Sequence, residues 1–379
     1  MVDSITHAAV GAALGEWLLG KRLGNRALAW GALIGILPDL DALPLPFCDT
    51  AGVLWWHRGP SHSLLFMIAV AVAVAPWLAK RWKRDKVSKV VAGFFVFAVW
   101  GSHVLLDCFT VYGTAVWWPF PLPRVAFNQL FIIDPLFTLP LLVTLCWLAF
   151  LRTKKQQPKR RRLNAWGLGL AACYVLLSVG MKFVVSAGFD ADLARRGVTC
   201  RRRMEAPTPF NILLWRSVVD RGDEFWVGYR SVFEPQSSPV RWTVYPQGGS
   251  ALDGMRDLRE VKTLVRITDG WWIARPHANG AWLGDLRFDE ARSWDDKKTK
   301  ENGRWGRKTV VDSRLAFAWN INPNGKRDRL QPLHPDRPKP GETLRRMGAR
   351  LCGDRRAWEA NPRLAGMTGR LPEDLAVEE

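Results

Sequence analysis

The stretch from Trp56 to Ser63 reads Trp-His-Arg-Gly-Pro-Ser-His-Ser, with two imidazoles, a guanidinium and two hydroxyls in eight residues. Such groups bind metal ions and anions and transfer protons. The stretch lies between long apolar runs, where polar side chains are costly unless they have a function. Four of the six histidines in the chain fall in its first 107 residues, together with several aspartates. The combined set is His7, His57, His62, His103, Asp3, Asp39, Asp41 and Asp107.

The spacing within this set predicts that some of these side chains meet. His103 and Asp107 stand four residues apart on a predicted helix, so they share a face and lie about 6 Å apart. The start of the chain carries another aspartate and histidine at the same spacing, Asp3-x-x-x-His7. Asp39 and Asp41 offer two carboxylates where a helix is expected to end, which is a common way to hold a divalent ion.

Several histidines with several aspartates form a mixed nitrogen and oxygen shell, which suits zinc, manganese or iron better than calcium. We predict a divalent metal cofactor, with zinc favoured over manganese or iron. The predicted metal ligands are His7, Asp39, Asp41, His57, His62, His103 and Asp107. Because a bound ion activates water and polarises phosphoryl or carbonyl oxygens, the predicted reaction is hydrolysis. The predicted catalytic residues are Asp107, His62 and Arg58, with Arg58 contacting an anionic group of the substrate.

Each residue also has a structural interpretation when it is taken alone. A histidine and an aspartate four apart on a helix are more often an ion pair than ligands. Arg58 could instead extend towards lipid headgroups. Asp134, which precedes Pro135, is predicted to cap a helix and not to bind metal. The predicted metal site therefore depends on the combination of residues.

The net charge is +19, which in a soluble protein would favour nucleic-acid binding. Within residues 1–188, however, 19 Lys and Arg face 8 Asp and Glu, and most of these bases lie in three loops between apolar runs. That distribution is typical of a multi-pass membrane protein, in which Lys and Arg concentrate in the cytoplasmic loops. We therefore predict membrane lipids as partners and no nucleic acid, and the oligomeric state stays open.

The apolar runs predict an α-helical multi-pass membrane bundle of about six segments, at about 5–19, 27–44, 63–79, 90–112, 133–151 and 165–188. Several are shorter than the roughly 20 residues of an isolated span, which indicates short or re-entrant helices shielded by neighbours. The loops at 20–26, 80–89 and 152–164 together carry 16 Lys and Arg. The loops at 45–62 and 113–132 carry two, so the basic loops are predicted to be cytoplasmic.

This orientation puts the chain after residue 188 on the outer face, which in a bacterium is the periplasm. The candidate metal ligands all fall at the outer ends of their segments, so they would collect at one membrane face. The N-terminus lacks the basic start of a cleavable signal peptide, so the first apolar segment is expected to be retained. Cys200 and Cys352 could form a disulfide if this half of the chain is in an oxidising compartment.

After residue 188, short aromatic and β-branched runs alternate with turn residues, which predicts a β-rich or α+β extramembrane domain. The predicted strands are at 224–233, 240–245, 264–267, 280–288 and 315–321. We divide the chain into a membrane-embedded domain with the metal site at 1–188, the β-rich domain at 189–335 and a charged tail at 336–379, which is at best partly helical from residue 342. A proline-rich tract at 335–340 is the predicted linker.

Five motifs of the first 155 residues stand together in a known pattern. They are Asp3-x-x-x-His7, Leu37-Pro38-Asp39-Leu40-Asp41, His57-Arg58-Gly59-Pro60-Ser61-His62-Ser63, His103-x-x-x-Asp107 and Phe131-Ile132-Ile133-Asp134-Pro135-Leu136-Phe137. These motifs resemble those of the bacterial membrane-bound metal-dependent hydrolase family, which includes LexA-regulated inner-membrane members. The resemblance covers roughly residues 1–155 and implies a multi-pass inner-membrane protein with a hydrolase site, without naming a substrate.

Three functions are compatible with this pattern. The favoured one is a metal-dependent hydrolase that acts at the outer face of the inner membrane on a lipid or a membrane-associated phosphoester or ester. The first alternative is a non-catalytic membrane protein with a structural metal or lipid-headgroup site and a partner-binding outer domain. The second is a transporter, which would place polar groups at mid-depth, where Glu16 is the clear candidate.

Overall fold

The structure is a computed structural model that describes residues 4–43, 47–277, 280–301, 304–325, 328–334 and 339–360. It divides into two compact units. The first contains the chain up to Gly180, apart from 49–51, together with 209–212. The second contains the rest of the described chain.

The first unit is helical. Its helices are α1 (Ser4–Leu23), α2 (Asn25–Ile36), α3 (Thr50–Trp56), α4 (Leu64–Arg81), α5 (Lys89–Cys108), α6 (Pro135–Phe150) and α7 (Gln157–Arg195). The first two residues of α3 and the end of α7 are assigned to the second unit. Three of the described segments are long and apolar enough to cross a membrane, in α4, α5 and α7. Helix α6 is apolar but has 16 residues, fewer than the roughly 20 that a span needs. Membrane crossing by all six predicted segments therefore stays a prediction.

Helices α1 and α2 approach closely because each presents two glycines four residues apart. Gly11 and Gly15 of α1 face Gly31 and Gly35 of α2. A Cβ atom on Gly31 would lie 2.2 Å from the carbonyl oxygen of Gly11, and one on Gly35 would lie 2.7 Å from the carbonyl oxygen of His7. Small residues at this spacing let two helix backbones come together. This packing places His7 directly against α2.

Helices α4 and α5 form an antiparallel pair joined by a short basic loop. Ser63 caps the start of α4 by accepting a hydrogen bond from the backbone of Phe66. Gly101, late in α5, faces Met67 near the start of α4, whereas Gly93, early in α5, faces Ala75 further along α4. The end of α5 therefore lies beside the turn that precedes α4.

The second unit contains two four-stranded antiparallel sheets and a hairpin. The strands are β1 (Arg202–Pro207), β2 (Leu214–Asp220), β3 (Glu224–Ser231), β4 (Trp242–Pro246), β5 (Trp272–His277), β6 (Gly280–Asp285), β7 (Glu290–Glu301), β8 (Arg304–Leu315), β9 (Ala318–Ile321) and β10 (Leu330–Leu333). The first sheet has the order β1-β2-β3-β4 and the second has the order β10-β9-β6-β5, while β7 and β8 form the hairpin. This confirms a sheet-containing domain after the helical region.

One predicted strand is wrong. Residues 264–267 belong to helix α8 (Arg259–Ile267), in which Val261, Leu264 and Ile267 are buried. Their spacing of three residues is that of a helix face, and it is visible only when the window begins before residue 264.

Part of the predicted tail is also described. A helix, α9 (Pro340–Leu351), forms within the predicted tail, whereas 335–338 of the linker and 361–379 lie outside the described residues. Cys200 and Cys352 are both free thiols in this structure.

Candidate metal centre

Candidate ligands converge in the first unit from three backbone elements. Asp39 lies in a 3₁₀ turn at Leu37–Ala42 that follows α2. His62 ends a second 3₁₀ turn, Pro60–His62, immediately before α4. His103 and Asp107 project from one face of the last two turns of α5. The antiparallel pairing of α4 and α5 brings the turn and the helix end together.

One atom from each of these four residues lies within 4.8 Å of every other. The Nε2 atom of His62 is 3.1 Å from Nε2 of His103 and 3.3 Å from Oδ2 of Asp107. The Oδ1 atom of Asp39 is 3.8 Å from the first of these nitrogens and 3.6 Å from the second. Ligands held about 2 Å from a tetrahedral zinc ion lie roughly 3.3 Å apart, so these separations suit one ion.

The hydrogen bonds of the two rings show which nitrogens are free to bind metal. The Nδ1 atom of His103 is 2.7 Å from the carbonyl oxygen of Gly35, which can only accept, so Nδ1 carries the proton. The hydroxyl of Ser61 donates to Asp41 at 3.1 Å and therefore accepts from Nδ1 of His62 at 2.8 Å. In neutral rings both Nε2 atoms then present lone pairs to each other, an arrangement that a metal ion or a shared proton between them would stabilise.

The carboxylate of Asp39 fits the same interpretation. Both of its oxygens are buried without a hydrogen-bond donor. Buried polar atoms are nearly always satisfied, and a carboxylate can be satisfied only by a donor or a cation. The donor set of two imidazoles and two carboxylates therefore fits zinc, manganese or iron.

Arg58 positions Asp107. Its Nη2 atom lies 2.7 Å from Oδ1 of Asp107, and its Nη1 atom donates to the hydroxyl of Thr110 at 3.1 Å. The arginine is fully buried and has a φ of 55°, an uncommon value for a residue other than glycine. In this position Arg58 neutralises and orients a candidate ligand, while its predicted contact with a substrate anion stays a prediction.

His7 lies beside the four residues. Its Nε2 atom is 3.2 Å from Oδ1 of Asp107, and its ring stacks on that of His103 with 3.6 Å between ring centres. It therefore contacts the carboxylate oxygen that Arg58 also contacts. Asp3, its predicted partner, lies outside the described residues.

Asp41 and His57 are not part of the four-residue group. Asp41 accepts hydrogen bonds from the backbone of Arg58 at 2.9 Å and from Ser61, and Nδ1 of His57 lies 3.2 Å from its Oδ1 atom. These contacts hold the loop that carries His62. Asp41 thus holds the loop in position without being a ligand, as the outer partners of ligating histidines commonly do.

Two features of the site were missed from the sequence. The first is the close approach of α1 and α2, for which Gly11-x-x-x-Gly15 and Gly31-x-x-x-Gly35 are a known sequence signal. Thr110, which holds Arg58 and donates to the backbone of Asp107 at 2.8 Å, carries no comparable signal. Asp134 caps α6 as predicted.

The apolar helices and the buried group of histidines and aspartates define a membrane protein with a candidate metal centre. Residues 1–184 match the family described as YdjM inner membrane protein, and this range contains every candidate ligand. The inner membrane protein YbcI of Escherichia coli (strain K12) is 35% identical over 121 residues, which are 32% of this chain and 68% of YbcI. The chain belongs to the YdjM inner membrane protein family. No solved structure matches it.

Membership confirms the coarser part of the predicted resemblance, a family of inner membrane proteins, whereas its hydrolase character stays a prediction. The names of the family and of YbcI state a location and no activity.

Proposed function

We propose that the protein is a metal-dependent hydrolase of the bacterial inner membrane. The observation that carries the proposal is the 3.1 Å approach of the two Nε2 atoms of His62 and His103, each with its other nitrogen in a hydrogen bond. The nearby carboxylates of Asp39 and Asp107 complete a shell for one ion. Zinc is the first candidate, with manganese or iron as alternatives.

When bound, such an ion polarises a phosphoryl or carbonyl oxygen and makes water more acidic. The protein residues divide the remaining tasks. His62 and His103 would hold the ion through nitrogens whose orientation is set by Ser61 and Gly35. Asp107 is held by Arg58, so it keeps one geometry.

Access to the site is from the side of Asp39. The side chains of His62, His103 and Asp107 are completely buried, whereas that of Asp39 is 10% exposed. A substrate would therefore approach along the 3₁₀ turn after α2. We propose a lipid or a membrane-associated phosphoester or ester as substrate, because the site is built on the ends of apolar helices.

We also propose the topology that the basic loops predict, with all six segments in the membrane and with the metal centre and the second unit on the periplasmic side. Alkaline phosphatase is active only after export, so a fusion after residue 200 should be active. A fusion in the 80–89 loop should be inactive. The reverse pattern would overturn this orientation.

Metal analysis of purified protein tests the centre. The wild type should contain about one transition-metal ion per chain, and His62→Ala and Asp107→Ala should lose it. His57→Ala is the matched control, because this histidine lies on the same loop outside the four-residue group and should retain the metal. Wild-type protein without a transition metal would overturn the proposal. A proton shared between the rings of His62 and His103 would then explain their close approach.

A non-catalytic metal site is the second candidate. It is favoured by the presence of four protein ligands, since catalytic zinc sites usually have three and leave a position for water. Hydrolysis of lipid esters and phosphoesters that is lost on chelation and regained with zinc or manganese would support the hydrolase. Bound metal without turnover, with unfolding on chelation, would support the structural site.

A further inference from the structure

A second candidate site lies in the first unit, where α6 ends and α7 begins. It is a cleft of about 530 Å³. Its lining combines aromatic and basic side chains and contains no acidic one. The lining residues are Trp147, Pro158, Lys159, Arg162, Leu163 and Trp166.

Four of these residues form one face of α7. Lys159, Arg162, Leu163 and Trp166 stand at positions i, i+3, i+4 and i+7, which lie on the same side of a helix. The contacts of the neighbouring Arg160 fix the rotation of the helix. The packing of α7 therefore determines which side chains line the cleft.

Arg160 points away from the cleft and is buried. Its Nε and Nη2 atoms donate to the two carboxylate oxygens of Glu16 at 2.6 and 2.5 Å. Its Nη1 atom donates to the carbonyl oxygens of Leu148 and Leu151 at the end of α6, both at 3.0 Å. These bonds tie α7 to α1 and α6. They also account for Glu16, which pairs here as a structural partner.

The chemistry of the lining matches a lipid headgroup and its glycerol region. The Nζ atom of Lys159 lies 5.7 Å from the ring centre of Trp147, so its charge and an indole face the same space. Trp147 and Trp166 are 54% and 64% exposed. Tryptophan concentrates at the membrane interface, where one edge is apolar and the other is hydrated.

We propose that this cleft binds one anionic phospholipid, with Lys159 and Arg162 contacting its phosphate and the two tryptophans packing beside its upper acyl chains. Basic pockets between membrane helices bind such headgroups, and the 152–164 stretch carries seven Lys and Arg beside the cleft. The site is separate from the metal centre and does not depend on hydrolysis.

Competitive lipid binding tests the proposal. Full-length protein in detergent micelles would be mixed with equal amounts of phosphatidylglycerol and phosphatidylcholine, and bound lipid would be counted by native mass spectrometry. The wild type should retain one phosphatidylglycerol in preference to phosphatidylcholine. In the Lys159→Gln/Arg162→Gln variant, the affinity for phosphatidylglycerol relative to phosphatidylcholine should fall roughly thirtyfold, because two contacts to the phosphate are lost.

The matched control is Lys80→Gln/Arg81→Gln, which removes the same charge from another exposed basic stretch and should keep the preference. Equal loss in both double variants would overturn the cleft as the site, since general electrostatics would then explain binding. Displacement of the lipid by inorganic phosphate alone at a similar concentration would overturn the lipid as its ligand.

A second variant distinguishes loss of lipid binding from misfolding of the charge variant. Trp166→Leu keeps both cations and should weaken retention of the lipid while leaving the melting temperature in lipid-free detergent unchanged. Undiminished lipid retention in this variant would contradict the proposed role of the indole.

Discussion

The motif Pro38-Asp39-Leu40-Asp41 provides a sharp test, because its two carboxylates have different neighbours. Asp39 faces the two Nε2 atoms and receives no hydrogen bond. Asp41 receives hydrogen bonds from the backbone of Arg58 and the hydroxyl of Ser61 and contacts His57. Replacing each aspartate by asparagine should therefore have different effects.

For Asp41→Asn, the amide oxygen can still accept the two bonds made to Oδ2, but without charge. A hydrogen bond to a charged acceptor contributes roughly 1 kcal/mol more than one to a neutral acceptor, so the metal-free protein should lose about 2 kcal/mol of stability. Metal should still bind when supplied in excess, with affinity lowered about 10- to 100-fold, as for other outer partners of ligating histidines.

For Asp39→Asn, a buried carboxylate without a donor is removed, so the metal-free protein should be as stable as the wild type or more stable. The variant loses a ligand charge, and metal should no longer copurify. The assay combines metal content with denaturant or thermal unfolding in detergent, before and after chelation. If both variants lose metal and stability to the same extent, the assignment of Asp39 as ligand and Asp41 as support is refuted.

Two further predictions concern the helix packing and the second unit. Gly31→Ala should lower the melting temperature and the metal content together, because its Cβ would lie 2.2 Å from a backbone oxygen of α1; Ala at the open position Gly169 is the control, and equal effects would contradict this packing. Burial, partly offset by Arg350, raises the pKa of Glu359 from 4.5 to about 8, so the folded state holds this proton more tightly than the unfolded chain. Stability should therefore fall as pH rises through this range, and Glu359→Gln should remove that slope in thermal melts, whereas an unchanged slope would count against it.

Several parts of the fold were predictable because their signals are local. Hydropathy located six of the seven described helices of the first unit and missed the short α3, which lies in a predicted loop. Asp134 before Pro135 indicated the start of α6. The 264–267 run failed for a local reason too, since four residues are too few to distinguish a strand from the end of a helix.

The candidate site was predictable in its residue types and only partly in its geometry. The spacing of His103 and Asp107 on α5 was sufficient to place both on one face. Which other residues join them depends on contacts between distant segments, and these depend on the glycines between α1 and α2 and on the pairing of α4 with α5.

The sequence by itself determined the membrane-helical character of the first half, the sheet-rich character of the second, and a supply of nitrogen and oxygen ligands near one end of the helices. Only the tertiary structure separated Asp39 from Asp41 and turned Arg58 towards Asp107. The physical reason is that residue spacing sets neighbours within one helix, whereas a ligand is defined by which atom faces the ion. That depends on the hydrogen bonds its other atoms make across the fold.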